Sequence, residues 1–281
     1  MRTVSLWRRW KLWLLCGVVL LPCVLVAGRE LSLLPDGQTH VYVLDIGQGD
    51  SILIVSPIGR RILVDGGPDL SALERLGSFL PFFDRRIDLV AFTHPDADHI
   101  GSLPEILQRY RVDRMLFSPV EHGSGQYARL LSIVEKQHIP LILPDPSQDI
   151  DSGDGLVLDV IWPPKNLVRS SDDTNGASLV MRALARSGSI LLTGDIDALG
   201  EERILKTGAS LSSTVLKVSH HGSEGATSIP FLLAVKPDHS VISVGKDNRF
   251  GHPRPETLAR LSALGIPIRT TMEEGTIDFL F

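Results

Sequence analysis

The sequence predicts an α/β (α+β) protein: two packed mixed sheets with helices outside, preceded by one N-terminal membrane helix. Three observations predict it. Short apolar or alternating runs, bounded by Gly, Pro and Asp, recur from His40 to Phe279. Stretches of helical period fall between them. The runs form two similar halves, and one of them ends directly in a cluster of histidine and aspartate at residues 94–99.

The N-terminal element rests on charge and hydropathy. Arg2, Arg8, Arg9 and Lys11 precede an apolar run from Leu12 to Ala27, interrupted by Pro22. That run is slightly shorter than the ~20 residues of a spanning helix, and Trp7, Trp10 and Trp13 lengthen it at the interface. An uncleaved anchor is the favoured reading. A signal peptide is the alternative, with Leu25-Val26-Ala27 as its cleavage site and a secreted body. Both put the basic flank inside and the body outside, periplasmic or extracellular. The domains are then 1–28, anchor or signal, and 29–281, a body long enough for one large domain or two small ones.

Composition narrows the chemistry. The formal charge of −5 excludes a surface coated in basic patches, so any contact with nucleic acid must be local. Both cysteines, Cys16 and Cys23, lie in the hydrophobic start. The body therefore has no disulfide and no thiolate ligand, and a metal must be held by His, Asp or Glu.

The body reads in order as follows. His40–Leu44, Ser51–Val55 and Arg61–Val64 are strands of an antiparallel meander, turned at Asp45–Asp50 and Pro57–Gly59. Residues 69–83 are helical. Ile87–Phe92 is a buried strand, and a helix runs from Gly101 to about Tyr110. Arg114–Phe117 and Pro140–Leu143 are strands around a helix at 126–137. Leu156–Trp162 is another strand. Ser178–Arg182 and Ser189–Thr193 form a hairpin closed by Gly194-Asp195. Val215–Val218 ends at His220-His221, and Ser240–Val244 and Gly275–Phe279 complete the set.

The strongest chemical signal is Thr93-His94-Pro95-Asp96-Ala97-Asp98-His99. Alternate spacing in an extended loop sends His94, Asp96 and Asp98 to one side, with His99 at the turn. Imidazole and carboxylate suit zinc, manganese or iron. A lone Asp here would read as a helix N-cap, but two His and two Asp do not. Asp195, His220, His221 and His252 also follow strands, where a scaffold places functional groups. His40, His122, His138 and His239 lack such company and read as surface or core histidines.

The segment 94–99 resembles the His-x-[His/Asp]-x-Asp-His signature of the metallo-β-lactamase fold. The wider pattern resembles the exported C-terminal domain of the ComEC family, the DNA-uptake channels of naturally competent bacteria. It consists of Leu44–Asp50, Leu63–Gly67, Thr93–Gly101, Asn175-x-x-Ser178-Leu179-Val180, Leu192–Asp195, Lys217-x-x-His220-His221-Gly222-Ser223 and Asn248-x-x-Gly251-His252-Pro253, spread over residues 40–281. The resemblance implies an αββα sandwich with two divalent ions between the sheets. His94 and Asp96 would hold one ion, and Asp98 and His99 the other. Asp195 would bridge them, and His220 or His221, with His220 preferred, would complete the shell. Asp65 would orient the ligand loop. Asp98 and Asp195 would be the catalytic carboxylates, Asp98 as proton acceptor. Lys217, Ser223, Asn248 and His252 would grip substrate. The family's usual histidine before the bridging Asp has no clear counterpart, and Asn175 lies there instead. With Asp96 in place of a second histidine, the shell is rich in oxygen, which makes manganese as suitable as zinc.

The implied function is a metal-dependent phosphodiesterase acting on DNA outside the membrane during uptake, with a membrane channel as partner. An exported hydrolase of small esters, lactones or β-lactams and a non-catalytic DNA-binding module of a channel are the alternatives. A channel fragment, a split gene product and a stand-alone relative all fit the chain. Oligomeric state is not legible.

Overall fold

The computed structural model describes residues 6–117, 120, 122–165 and 174–281, with only the backbone for residues 6–17. In chain order its elements are α1 (Leu6–Ser32), β1 (His40–Val43), β2 (Ile52–Val55), β3 (Arg61–Val64), α2 (Ser71–Phe79), β4 (Arg86–Ile87), β5 (Leu89–Phe92), α3 (Ala97–Ile100), α4 (Leu103–Arg109), β6 (Arg111–Val112), β7 (Met115–Phe117), α5 (Gly125–Lys136) and β8 (Leu141–Ile142). The second half holds β9 (Ile150–Asp151), β10 (Val157–Trp162), β11 (Val180–Leu184), β12 (Ser189–Leu192), α6 (Ala198–Thr207), β13 (Val215–Lys217), α7 (Ile229–Val235), β14 (His239–Ile242), α8 (Pro255–Ala263), β15 (Ile268–Thr270), α9 (Thr271–Glu274) and β16 (Ile277–Leu280).

Among the described residues, two seven-stranded sheets form, in the orders β16-β1-β2-β3-β5-β7-β8 and β15-β14-β13-β12-β11-β10-β9. The expected meander is present, with β1–β2 and β2–β3 antiparallel. So is the hairpin β11–β12. Both sheets then turn parallel, through β3–β5–β7–β8 in the first and β12–β13–β14–β15 in the second.

Side chains alternate across a strand, and this explains why the central strands are apolar throughout. Leu89 and Ala91 of β5 enter the core between the sheets, with Ile62, Val64, Met181 and Ile190. Val90 and Phe92 face outward under the helices, against Leu103, Ile106 and Leu130. In the second sheet Ile190 and Leu192 point inward, while Leu191 packs outward with Ile204, Phe231 and Leu261. Each such side chain larger than alanine contributes roughly 1.5–3 kcal/mol by leaving water. A one-residue slip would exchange the two faces of a strand, so the patterning holds the register. The result is a helix–sheet–sheet–helix sandwich.

The N-terminal hydrophobic segment is helical as α1 and continues through Arg29 to Ser32. Among the described residues no helix is long and apolar enough to cross a membrane. Arg2 lies outside the described residues, and the side chains of Trp7, Arg8, Arg9, Trp10, Lys11 and Trp13 lie outside the described ones. The end of α1 is tied to the body: Arg29 donates to the Gly77 carbonyl at 2.7 Å, and Glu30 accepts from the Phe82 amide at 2.9 Å. Helices α6, α7 and α8 and the short strands β4, β6, β9 and β15 go beyond the sequence reading.

Candidate metal centre

Loops leaving strand ends of both sheets meet at one edge of the sandwich. Asp50 closes the β1–β2 loop, Asp65 follows β3, residues 93–99 follow β5, Asp195 follows β12, and His220 and His221 follow β13. Two glycines permit the approach. Gly194 has φ +51°, and a Cβ there would lie 2.8 Å from Thr93. Gly49 has φ +123°, and a Cβ would meet the Asp98 carbonyl at 2.2 Å. In its place the Asp50 amide donates to that carbonyl at 3.2 Å. His220 and His221 both adopt left-handed backbone, at φ 49° and 52°. Two such residues in sequence are costly unless the surroundings over-determine them, and here the His220 amide donates to the Gly194 carbonyl at 3.2 Å.

The ligand atoms of Asp98, His99, Asp195 and His221 lie within 4.8 Å of one another. His99 Nε2 is 3.3 Å from Asp195 Oδ1, and His221 Nε2 is 3.4 Å from Asp195 Oδ2 and 3.5 Å from Asp98 Oδ2. The opposite ring nitrogens are held from behind. His99 Nδ1 lies 2.9 Å from Asp65 Oδ2, His221 Nδ1 lies 2.9 Å from the Ser243 carbonyl, and His94 Nδ1 lies 3.0 Å from Thr93 Oγ1. Each contact leaves Nε2 to face the centre. The Nε2 atoms of His94, His99 and His221 and Oδ1 of Asp195 are all buried without a hydrogen-bond partner. A buried polar atom in that condition costs about 1–3 kcal/mol. The cluster therefore fits a cation: imidazole nitrogens and carboxylate oxygens are the ligands of zinc, manganese and iron.

The electrostatics separate the histidines. Burial works against a charged His99, but the carboxylates of Asp195 and Asp65 outweigh it and hold its pKa well above the ordinary value. For His221 burial is likewise overcome, by Asp195 and Asp50, and the pKa is raised to about 9. Asp195 stays well below the usual carboxylate range despite its burial, because His221 and His99 face it. Asp98 is also lowered against its burial, by the facing imidazole of His221 and the charge of His99. His220 and His252 move the other way. Burial lowers both, His252 to about 4.

The remaining predicted residues fall as follows. His94 packs against His99 with centroids 4.1 Å apart and ring planes tilted by 51°, and its Nε2 is 3.6 Å from Asp96 Oδ2. Asp96 precedes α3 without capping it. The expected order of His220 and His221 is reversed: His221 enters the cluster, whereas His220 is partly exposed, with Nε2 3.7 Å from Asp195 Oδ2. Lys217 does not face substrate. It is fully buried in an ion pair with Asp50, because its strand position points into the protein between the two loops. The Asn248 amide makes four hydrogen bonds within its own loop. Ser223 offers its carbonyl to Thr257 Oγ1 at 2.7 Å. Asn175 has a buried, unpartnered Oδ1, and its carbonyl accepts from the Ser178 amide. Asp65 accepts from the Thr93 amide at 2.7 Å and from Thr93 Oγ1 at 2.8 Å.

Sequence reasoning assigns no role to Asp50, whose Oδ1 is 3.5 Å from His221 Nδ1. It also passes over His122, whose Nε2 lies 4.0 Å from Asp96 Oδ1. The signals for Asp50 are its place at the end of a glycine-rich turn and in the Leu44–Asp50 motif. His122 carries none.

Known proteins share this plan. The chain is similar to ComE operon protein 3 of Bacillus subtilis, 28% identical over 263 residues, covering 87% of this chain and 33% of the relative. It is similar to competence protein ComA of Neisseria gonorrhoeae, 30% identical over 275 residues, covering 97% of this chain and 35% of the relative. The chain thus spans about a third of the length of these curated relatives, and the resemblance read from the motifs is borne out. Among solved structures, the metallo-beta-lactamase fold protein YhfI of Bacillus subtilis superimposes with a TM-score of 0.59 at 12% identity, over 87% of this chain and all of that one, a likeness of fold. The family model described as the metallo-beta-lactamase superfamily matches residues 44–246, and the chain belongs to that superfamily.

Proposed function

We propose that this protein is a metal-dependent phosphodiesterase that cuts DNA outside the membrane during uptake, working with a membrane channel. The observation that carries this reading is the set of buried, unpartnered nitrogen and oxygen atoms on His94, His99, His221 and Asp195. The similarity to competence proteins supports DNA as substrate. His99, His221, Asp98 and Asp195 would hold one divalent ion, and His94 and Asp96, sharing Asp195, a second, manganese or zinc. Such ions lower the pKa of water and neutralise charge on a phosphate diester. Asp98, partly exposed and held ionised by its neighbours, accepts a proton at its free oxygen. Asp65, the Ser243 carbonyl and Thr93 keep the imidazoles in one tautomer.

The test uses the full chain in nonionic detergent on single- and double-stranded DNA, with Mn²⁺, Zn²⁺ or EDTA. Cleavage should need metal. Asp195→Ala should lower it by more than about 100-fold, since even groups behind metal ligands are worth 10- to 100-fold. Cleavage that persists in EDTA or in Asp195→Ala would sink the reading.

A further inference from the structure

Residues 245–254 border the centre, and the hydrolytic reading uses none of them. The loop is rigidly built. Asn248 Nδ2 donates to the carbonyls of Gly245 (3.0 Å) and His252 (2.6 Å), while its Oδ1 accepts from the amides of Phe250 (3.2 Å) and His252 (3.0 Å). The Arg254 amide donates to the Gly222 carbonyl at 2.9 Å, which fastens the loop to the histidine turn. This fixed mount holds a phenylalanine in water: Phe250 is 41% exposed.

Rings continue inward from it. Phe250 stacks on His252, with centroids 5.9 Å apart and planes 24° apart. His252 meets His220 edge-on at 5.7 Å, and His220 Nε2 is 3.7 Å from Asp195. Cations flank the outer rung. The Arg249 guanidinium carbon lies 4.8 Å from the Phe250 ring centroid, and Lys246 and Arg254 are exposed on the same loop. None of the three is in an ion pair among the described residues. Asp247 is the loop's one carboxylate.

An exposed ring with an arginine against it, on a loop that carries two further exposed cations, suits an unpaired nucleic-acid base on its π face and the adjoining phosphates. A duplex hides the faces of its bases and offers only the phosphates. We propose that residues 245–254 form a binding platform for a single DNA strand, in which Phe250 stacks a base and Lys246, Arg249 and Arg254 take phosphates, leading the strand over His252 and His220 to the centre. The proposal rests on the phosphodiesterase reading and adds to it the form of the substrate. It also reconciles an acidic protein with nucleic acid, because the positive charge is needed at this rim alone.

The test separates binding from cleavage. The full chain in nonionic detergent is titrated with a fluorescently labelled oligothymidylate in EDTA, and binding is read by anisotropy. Phe250→Ala should weaken strand binding roughly tenfold, and Phe250→Trp should keep it. Arg249→Ala with Arg254→Ala should weaken it and flatten its salt dependence. A labelled duplex should bind more weakly than the strand and be indifferent to Phe250→Ala. The proposal fails if Phe250→Ala binds the strand like wild type, or if strand and duplex weaken equally. Turnover of a small phosphodiester reporter by the wild-type protein with Mn²⁺ reports on the hydrolytic reading separately. Its absence beside Phe250-dependent strand binding would overturn that reading and leave the platform standing.

Discussion

The two sides of the centre are made of the same residue types but supported differently. On the closed side His99, His221 and Asp195 are buried, and each imidazole is braced through its Nδ1 by Asp65 or the Ser243 carbonyl. On the open side Asp96, His122 and His220 reach solvent, with side chains 38%, 24% and 32% exposed. The closed side raises the pKa of its histidines through facing carboxylates, while burial lowers His252 and, outweighing the nearby Asp195, His220. The difference teaches a division of labour. Folding fixes half of the donor set, and the other half is left accessible to substrate.

The largest test of that contrast is the buried pair behind the closed side. Lys217 and Asp50 are both buried and bonded to each other. Asp50 in turn lies against His221 and holds the Asp98 carbonyl through its amide. Lys217→Met removes the buried ammonium bonded to the Asp50 carboxylate, and should cost about 3–5 kcal/mol in denaturant unfolding. Replacing both partners, Lys217→Met with Asp50→Leu, should recover most of that loss, because no charge is then stranded. A single variant that unfolds like wild type would show that the closed side does not depend on this pair.

A smaller effect is expected one layer nearer the ions. Asp65 accepts three hydrogen bonds, from the Thr93 amide, Thr93 Oγ1 and His99 Nδ1. In Asp65→Asn an amide N–H must oppose one of these donors, so His99 loses its fixed orientation. Affinity for the tighter metal should fall 10- to 100-fold in competition with a chelator. Unchanged affinity would mean that Thr93 and packing alone hold the ring.

These two residues also show what the sequence can carry. Asp65 is legible through the family resemblance, because the Leu63–Gly67 motif that carries it is local in the chain. The 94–99 cluster is legible for the same reason, since four donors in one loop after an apolar strand need no tertiary information. Lys217 is not. It sits among Val215, Leu216 and Val218, and its partner belongs to the far end of the chain, so its charge reads as solvent-facing until the two sheets are assembled. The choice between His220 and His221 depends on left-handed backbone at both residues, which the Gly194 contact and the packing of Gly222 against Pro253 enforce. Helices α6 and α7 do carry local start signals: Asp197 accepts from the Gly200 amide at 2.8 Å and Ser228 from the Phe231 amide at 3.4 Å. Their order in the outer layer, however, follows from burial under the second sheet.

The smallest expected effect lies on the open side, at His122. Nothing beside it in the chain marks it, yet its Nε2 is 4.0 Å from Asp96 Oδ1 while its Nδ1 is 3.1 Å from Ser124 Oγ. At that distance it steers the Asp96 carboxylate without bonding to it. Exposed pairs of this kind are worth about 0.2–1 kcal/mol. His122→Ala should therefore weaken the second, looser metal equivalent by roughly two- to fivefold and leave the tighter one unchanged, as read by isothermal titration with Mn²⁺. A loss beyond about tenfold, confined to that looser equivalent, would make His122 a ligand in its own right, supplying from the α5 side the imidazole that the stretch around Asn175 lacks. The open half would then be a complete shell, and the contrast with the closed half would reduce to exposure alone.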